Sequence, residues 1–148
     1  MARGQNPSLT SEYILQDDRD APPEDQSVFL IRCLDAETRS RIQDNAISME
    51  AEDVSELENG APGGMKMNSN TGRTEMLALL NGLVDIQNYE FPAEQTEDGY
   101  QWHELEWPAN GSRSEKKEAL DKIAPQHRTE LANQITEASF MTEGEVKN

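Results

Sequence analysis

The chain has 148 residues, enough for about one domain with a single core. Apolar residues make up 34% of it and charged residues 28%, toward the disordered side of globular composition, so part of the chain is expected to pack poorly. Lys and Arg number 13 against 29 Asp and Glu, a formal net charge of −16 that would repel a phosphate backbone, argues against direct nucleic-acid binding and suits a basic protein partner.

Cys33 is the single cysteine, which excludes an internal disulfide and a cysteine-based zinc cage and fits folding in a reducing compartment. The N-terminal stretch "MARGQNPSLTSEYILQDDRDAPPEDQ" lacks the apolar core of a secretory signal. No run approaches the roughly 20 apolar residues of a membrane span, so neither secretion nor a membrane partner is expected. Asn110-Gly111-Ser112 fits the glycosylation sequon but reads as a turn.

Residues 1–26 are polar, with Leu9, Tyr13, Ile14 and Leu15 as their apolar cluster. Such a segment cannot offset the roughly 1 to 2 kcal/mol of backbone entropy lost per ordered residue. It is expected to be an extended or disordered arm that anchors to a partner through that cluster. "SVFLIRCL" is a nearly continuous apolar run of β-formers and predicts a buried strand. Asp35 is placed to cap a helix over "AETRSRIQDNAI", with Arg39, Ile42, Ala46 and Met49 on one stripe. Residues 50–72, acidic and then rich in Gly, Asn, Pro and Ser, predict a long flexible loop.

"RTEMLALLNGLVDIQNY", residues 73–89, places Met76, Leu77, Leu80, Leu83, Val84 and Gln87 at helical spacing, with Leu79 and Ile86 widening the apolar face. It predicts the central helix. Gly82 inside it points to close approach of another backbone. "YEFPAEQTEDGYQWHELEW" carries aromatics on both sides of Asp98-Gly99, a hairpin signal. On its second strand Tyr100 and Trp102 face one way and His103, Leu105 and Trp107 the other, so the two-faced ribbon is a candidate contact surface. Ser114 is placed to cap "EKKEALDKIA". Pro125 stops that helix or opens "QHRTELANQITEASF", which sets Arg128, Leu131, Ala132, Ile135 and Ala138 on one face.

The expected fold is therefore α+β and mainly α-helical, with about four helices, a short N-terminal strand, a small β-hairpin and an extended N-terminal arm. The expected division is an arm over 1–26 and a single small domain over 27–148, with the loop at 50–72 inside it.

Catalytic chemistry finds little support. His103 and His127 lie 24 residues apart and "WHELEW" lacks the second histidine of a zinc-protease helix. On a strand Glu104 and Glu106 would face away from His103. "GAPGGMK" lacks the Gly-Lys-Ser/Thr end of a phosphate loop and reads as a tether. Cys33 has apolar neighbours and reads as a buried, inert thiol. Carboxylate pairs in "EAEDVSELE" and "QTEDG" lie in loops, where nothing separates their pKa values for acid and base roles. No enzyme, cofactor, metal or small-molecule substrate is expected.

The stretch "LLNGLVDIQNYEF" resembles the Leu-x-Gly-Leu-x-x-Trp-x-Asn-Phe segment of small morphogenesis proteins of tailed bacteriophages, with Ile86 and Tyr89 in place of the usual aromatics. The end of the chain is similar to the same family's terminal pattern, a Glu-Leu-Ala-x-x-Ile helix, a short break, then Leu-Thr-Glu-x-Glu-x-Lys-Asn. Glu130, Leu131, Ala132, Ile135, Thr142, Glu143, Glu145, Lys147 and Asn148 fit it. The resemblance covers residues 28–48 loosely and 73–148 better.

It implies a non-enzymatic structural or assembly protein of the virion, docking on capsid or head–tail (neck) subunits, present in the particle or in the host cytoplasm during assembly. Alternatives are a transient tail-assembly chaperone and an acidic mimic of nucleic acid that inhibits a host defence complex. Expected partners are capsid, neck or tail subunits or copies of the chain itself. The candidate partner-binding residues are Leu9, Tyr13, Ile14, Leu15, Tyr100, Trp102, Trp107, Phe140, Met141 and Val146. Thr142 and Glu145 match a capping box, so the terminal turn is expected to order against the chain's own helices or a neighbouring subunit.

Overall fold

A computed structural model describes residues 1–3, 6, 8–44 and 64–140, with the side chains of 64–71 and of Phe140 left out. The architecture is α+β. Strand β1 (Thr10–Ile14) leads through two short 3₁₀ turns, Gln16–Asp18 and Pro23–Asp25, into β2 (Val28–Arg32) and helix α1 over 36–44. Helix α2 (Gly64–Gly82) runs directly into β3 (Leu83–Gln87). β4 (Glu90–Thr96) and β5 (Gly99–Glu104) form a hairpin, and α3 (Arg113–Asp121) and α4 (Pro125–Phe140) follow.

The first sheet has the order β1-β2-β3, with both pairings antiparallel and β2 in the centre. Tyr13, Phe29 and Ile86 lie in one cross-strand row on the inner face, followed by Ile31 beside Leu83. Phe29, Ile31, Leu83 and Ile86 are buried while Val28 and Leu30 on the other face are half-exposed, so β2 buries one face rather than two. A bulge at Val84, between the Leu30–Asp85 and Ile31–Leu83 pairs, lets both Leu83 and Ile86 face the core. Helices α2 and α4 pack together, with Ala78, Leu79 and Leu80 meeting the same core as Leu131, Ala132 and Ile135.

The predicted arm belongs to the fold. Residues 10–14 pair along the whole of β2, and Leu15 is 1% exposed within the core. Polar composition hid an edge strand that is exposed over its first three residues and half-buried only at Tyr13 and Ile14, and whose pairing is made with a strand distant in sequence. Ser27 and Asp18 close the return: the Ser27 N–H donates to Asp18 Oδ2 at 2.9 Å.

The predicted helix over 73–89 is divided. It ends at Gly82, and Leu83–Gln87 is strand β3, because β-branched Val84 and Ile86 complete the sheet beside β2. Its N-terminal end also lies earlier, at Gly64, so residues 64–72 are helical where a loop was expected. Gly82 marks a close approach, made by a side chain: a Cβ there would stand 2.5 Å from Ile135 Cγ2.

The Asp35 cap is present, with the Thr38 N–H donating to Oδ1 at 2.7 Å. Ile42 of its helix is buried, while Ala46 and Met49 lie outside the described residues. Ser112, not Ser114, caps α3, its Oγ accepting from the Glu115 N–H at 3.2 Å. Pro125 is the first residue of α4, where its missing N–H leaves no helical bond unmade. Cys33 is half-buried, and its thiol lies 3.7 Å from the Ala138 carbonyl. Among the described residues no helix is long and apolar enough to cross a membrane.

Candidate functional site

The hairpin is built by strong β-formers around a tight turn. Glu97 and Asp98 occupy the turn, and Gly99 opens β5 at φ +134°, a conformation that glycine adopts without a Cβ penalty. Glu90 pairs with Glu104, Pro92 with Trp102, Gln95 with Tyr100 and Thr96 with Gly99, and a bulge at Ala93 shifts the register. Pro92 sits beside that bulge, where a strand tolerates the loss of a donor.

Every residue of β5 is exposed. Tyr100 and Trp102 share one face by strand alternation, at 57% and 55% exposure, with ring centroids 6.4 Å apart edge to face. On the opposite face Phe91 and His103 make an edge contact at 6.3 Å, and the Lys122 ammonium lies 4.8 Å from the centre of the Phe91 ring. After the hairpin the chain dives into the core: Leu105 and Trp107 are buried, and the Leu105 N–H donates to the Tyr89 carbonyl at 2.7 Å.

Beside the Trp102 face opens a cleft of about 500 Å³. Glu90, Pro92 and Trp102 form its hairpin wall, Asp17, Asp18 and Asp25 the opposite wall, and Tyr89 and His127 also line it. Asn88, at φ +59°, organises the junction. Its amide Nδ2 donates to the carbonyls of Glu24 and Gln26, each at 3.1 Å, its N–H to Glu104 Oε1 at 3.0 Å, and its carbonyl accepts from Ser27 Oγ at 2.8 Å. Asparagine tolerates this left-handed conformation better than most residues.

Tyr89 Oη lies 2.9 Å from His127 Nδ1 and accepts from the Ala124 N–H at 3.0 Å, while His127 Nε2 lies 3.2 Å from Asp17 Oδ2. The Asp17 carboxylate can only accept, so the ring donates from Nε2, and in that tautomer of the neutral imidazole Nδ1 accepts from the Tyr89 hydroxyl. Burial, the largest influence, raises the Tyr89 phenol above its ordinary value, and the nearby Asp18 charge adds to this. Both imidazole nitrogens are thus engaged, and the network ties the Gln16–Asp18 turn to α4 across the floor of the cleft.

The sequence-predicted partner residues divide. Tyr100, Trp102 and Leu9 are exposed, Leu9 at 68%. Tyr13 and Ile14 are half-buried in the sheet, and Tyr13 Oη donates to Glu130 Oε2 at 2.8 Å. That bond and burial both raise the Tyr13 phenol, burial more. Leu15 and Trp107 are core residues and are corrected to that role, because their apolar surface is covered by the chain itself. Met141, Val146 and the Thr142–Glu145 capping box lie outside the described residues, as does the Phe140 side chain.

No group of three or more His, Cys, Asp or Glu side chains is arranged to hold a metal among the described residues. The cleft residues Asp17, Asp18, Asp25, Tyr89 and His127 were not expected as a group. The run "DDRDAPPEDQ" carries the charge signal for three of them, but nothing local marks Tyr89 and His127, which are separated by 38 positions. In comparisons with protein-family models, curated proteins and solved structures, no match was found.

Proposed function

We propose that this chain is a non-enzymatic structural or assembly protein of a tailed-bacteriophage virion that works by docking on other protein subunits, at the capsid or the head–tail neck. The observation that carries the docking part is the Tyr100–Trp102 pair, two large aromatic side chains held more than half exposed on a hairpin whose second strand buries none of its residues. Exposed aromatics of this kind are the residues most enriched at interface centres. The phage part draws on the resemblance of residues 73–148 to small morphogenesis proteins. The engagement of both His127 nitrogens within the fold supports a non-catalytic reading of the cleft that this histidine lines.

Residues 10–15 complete the sheet and core, which leaves the hairpin rather than an arm as the contact element. Quantitative mass spectrometry of purified particles tests the assignment. The expected result is the chain at a fixed ratio to the major capsid or neck subunits. Its absence from mature particles, with recovery on tail subunits during assembly, would replace this reading with the transient chaperone.

A further inference from the structure

We propose that the Trp102 face of the hairpin and the cleft beside it receive a Lys- or Arg-bearing segment of a different protein, with a cationic side chain seated against the Trp102 ring and carboxylates on both cleft walls. This rests on the reading of the chain as a protein-docking module and names the chemistry of its partner.

Among the described residues nothing covers this face, and its surroundings select the charge of what would. The hairpin segment 90–106 holds six carboxylates, at Glu90, Glu94, Glu97, Asp98, Glu104 and Glu106, and no Lys or Arg. Across the cleft stand Asp17, Asp18 and Asp25. Asp17 and Asp18 are already engaged, by His127 and the Ser27 N–H, whereas Asp25 and Glu90 have no side-chain hydrogen bond or ion pair among the described residues. Lys122 is the opposing charge at this cleft, and its ammonium is turned to the Phe91 ring on the other face of the hairpin.

An aromatic face flanked by carboxylates is the surface a guanidinium or ammonium group favours, since the ring quadrupole and the anions attract it together. The cleft volume of about 500 Å³ lies within the range of ligand-binding pockets and has room for a long cationic side chain. An acidic or nucleic-acid ligand would meet four carboxylates there against the single ammonium of Lys122, a net repulsion. A second copy is disfavoured because each chain carries −16. The chain's own residues 45–63 offer no occupant of the right sign, holding five carboxylates and no Lys or Arg.

The test uses the full chain and a fluorescein-labelled Gly-Arg-Lys-Gly-Arg-Lys-Gly peptide, followed by fluorescence anisotropy, with the same peptide carrying Gln in place of Arg and Lys as control. Binding of the basic peptide alone is expected, weakened about tenfold by Trp102→Ala and preserved within about threefold by Trp102→Phe. The double change Asp25→Asn with Glu90→Gln is expected to weaken it about fivefold and to flatten its salt dependence. Circular dichroism verifies that each variant is folded. Equal binding of the Gln peptide, or unaltered affinity in both Trp102→Ala and the Asp25/Glu90 double variant, overturns the proposal, the latter by showing attraction to general surface charge. Concentration-dependent dimerisation abolished by Trp102→Ala would overturn it in favour of a second copy. Failure of peptide binding by a chain that is present in purified particles removes this inference and leaves the virion reading standing. Tight, Trp102-dependent binding by a chain absent from particles does the reverse.

Discussion

The β1-β2-β3 sheet and the β4-β5 hairpin are both antiparallel and both carry aromatics, yet they spend their side chains differently. In the sheet, Phe29, Ile31, Leu83 and Ile86 are buried against α2 and α4. In the hairpin, β5 exposes all of its residues, the strong β-formers Tyr100 and Trp102 included. Strand-forming character therefore does not say which surface will be covered. A central strand has a neighbour on each side and a helical layer over one face, whereas a two-stranded ribbon is marginal alone and is held here by its ends, through Tyr89, Leu105 and Trp107. Substitutions in the sheet should act on stability, and those on the ribbon on recognition.

The largest expected effect is at Leu15, which lies inside the core of the body although the polar composition around it reads as an arm. Leu15→Ala should destabilise by about 2 to 5 kcal/mol in urea unfolding, the range for emptying a packed leucine site. A value within about 0.5 kcal/mol would mean that the N-terminal residues are separable after all.

Next is the seam where α2 becomes β3. An alanine Cβ at position 82 would come 2.5 Å from Ile135 Cγ2, a branched methyl that cannot swing clear as a long flexible chain end would. Gly82→Ala should cost about 1 to 3 kcal/mol through overpacking, despite alanine's better helix propensity. Ile135→Ala opens a cavity by itself, so the diagnostic is the coupling: the double variant should be less destabilised than the sum of the two single changes.

This seam also shows what a sequence discloses and what it does not. Leu77, Leu80, Leu83 and Val84 satisfy helical spacing without interruption, and a period cannot reveal that β2 offers a free edge to residues 83–87. Pairing with β2 outweighs the local preference. Features carried within a few residues were readable: the Asp35 cap, Pro125 opening α4, and a hairpin near Asp98-Gly99, with the turn one residue earlier. That Tyr100 and Trp102 share one face of a hairpin strand was readable for the same reason, since both lie on one short strand. The cleft was not, because Asp17, Glu90 and His127 meet only through the tertiary fold.

Asp35 should give a smaller change and a pH signature. The Thr38 N–H holds its carboxyl below the ordinary value of 3.8, so its contribution is present above about pH 4 and fades as pH falls through the lowered folded-state value. Asp35→Ala should cost about 1 kcal/mol at neutral pH, as for other lost N-caps. Asp35→Asn, which keeps an acceptor oxygen, should lose less, and its difference from the parent chain should close under acid conditions. A difference that grows as pH falls would contradict the cap as its source.

The smallest stability effect belongs to the ribbon. Trp102 and Tyr100 make an edge-to-face contact with each other, and over half of each remains open to water. Removing either ring forfeits that edge-to-face contact and the smaller, covered part of its surface. Trp102→Ala should therefore shift unfolding free energy by less than about 1 kcal/mol, well below the Leu15 effect, even though the side chain removed is larger. Tryptophan emission provides an internal control, because Trp107 is buried and Trp102 is exposed. The Trp102→Ala protein should emit at shorter wavelength than the parent chain, with its one remaining indole in the core. A large loss of stability, or a red-shifted spectrum, would mean that the ribbon carries part of the core after all and that its aromatics serve the fold rather than a partner.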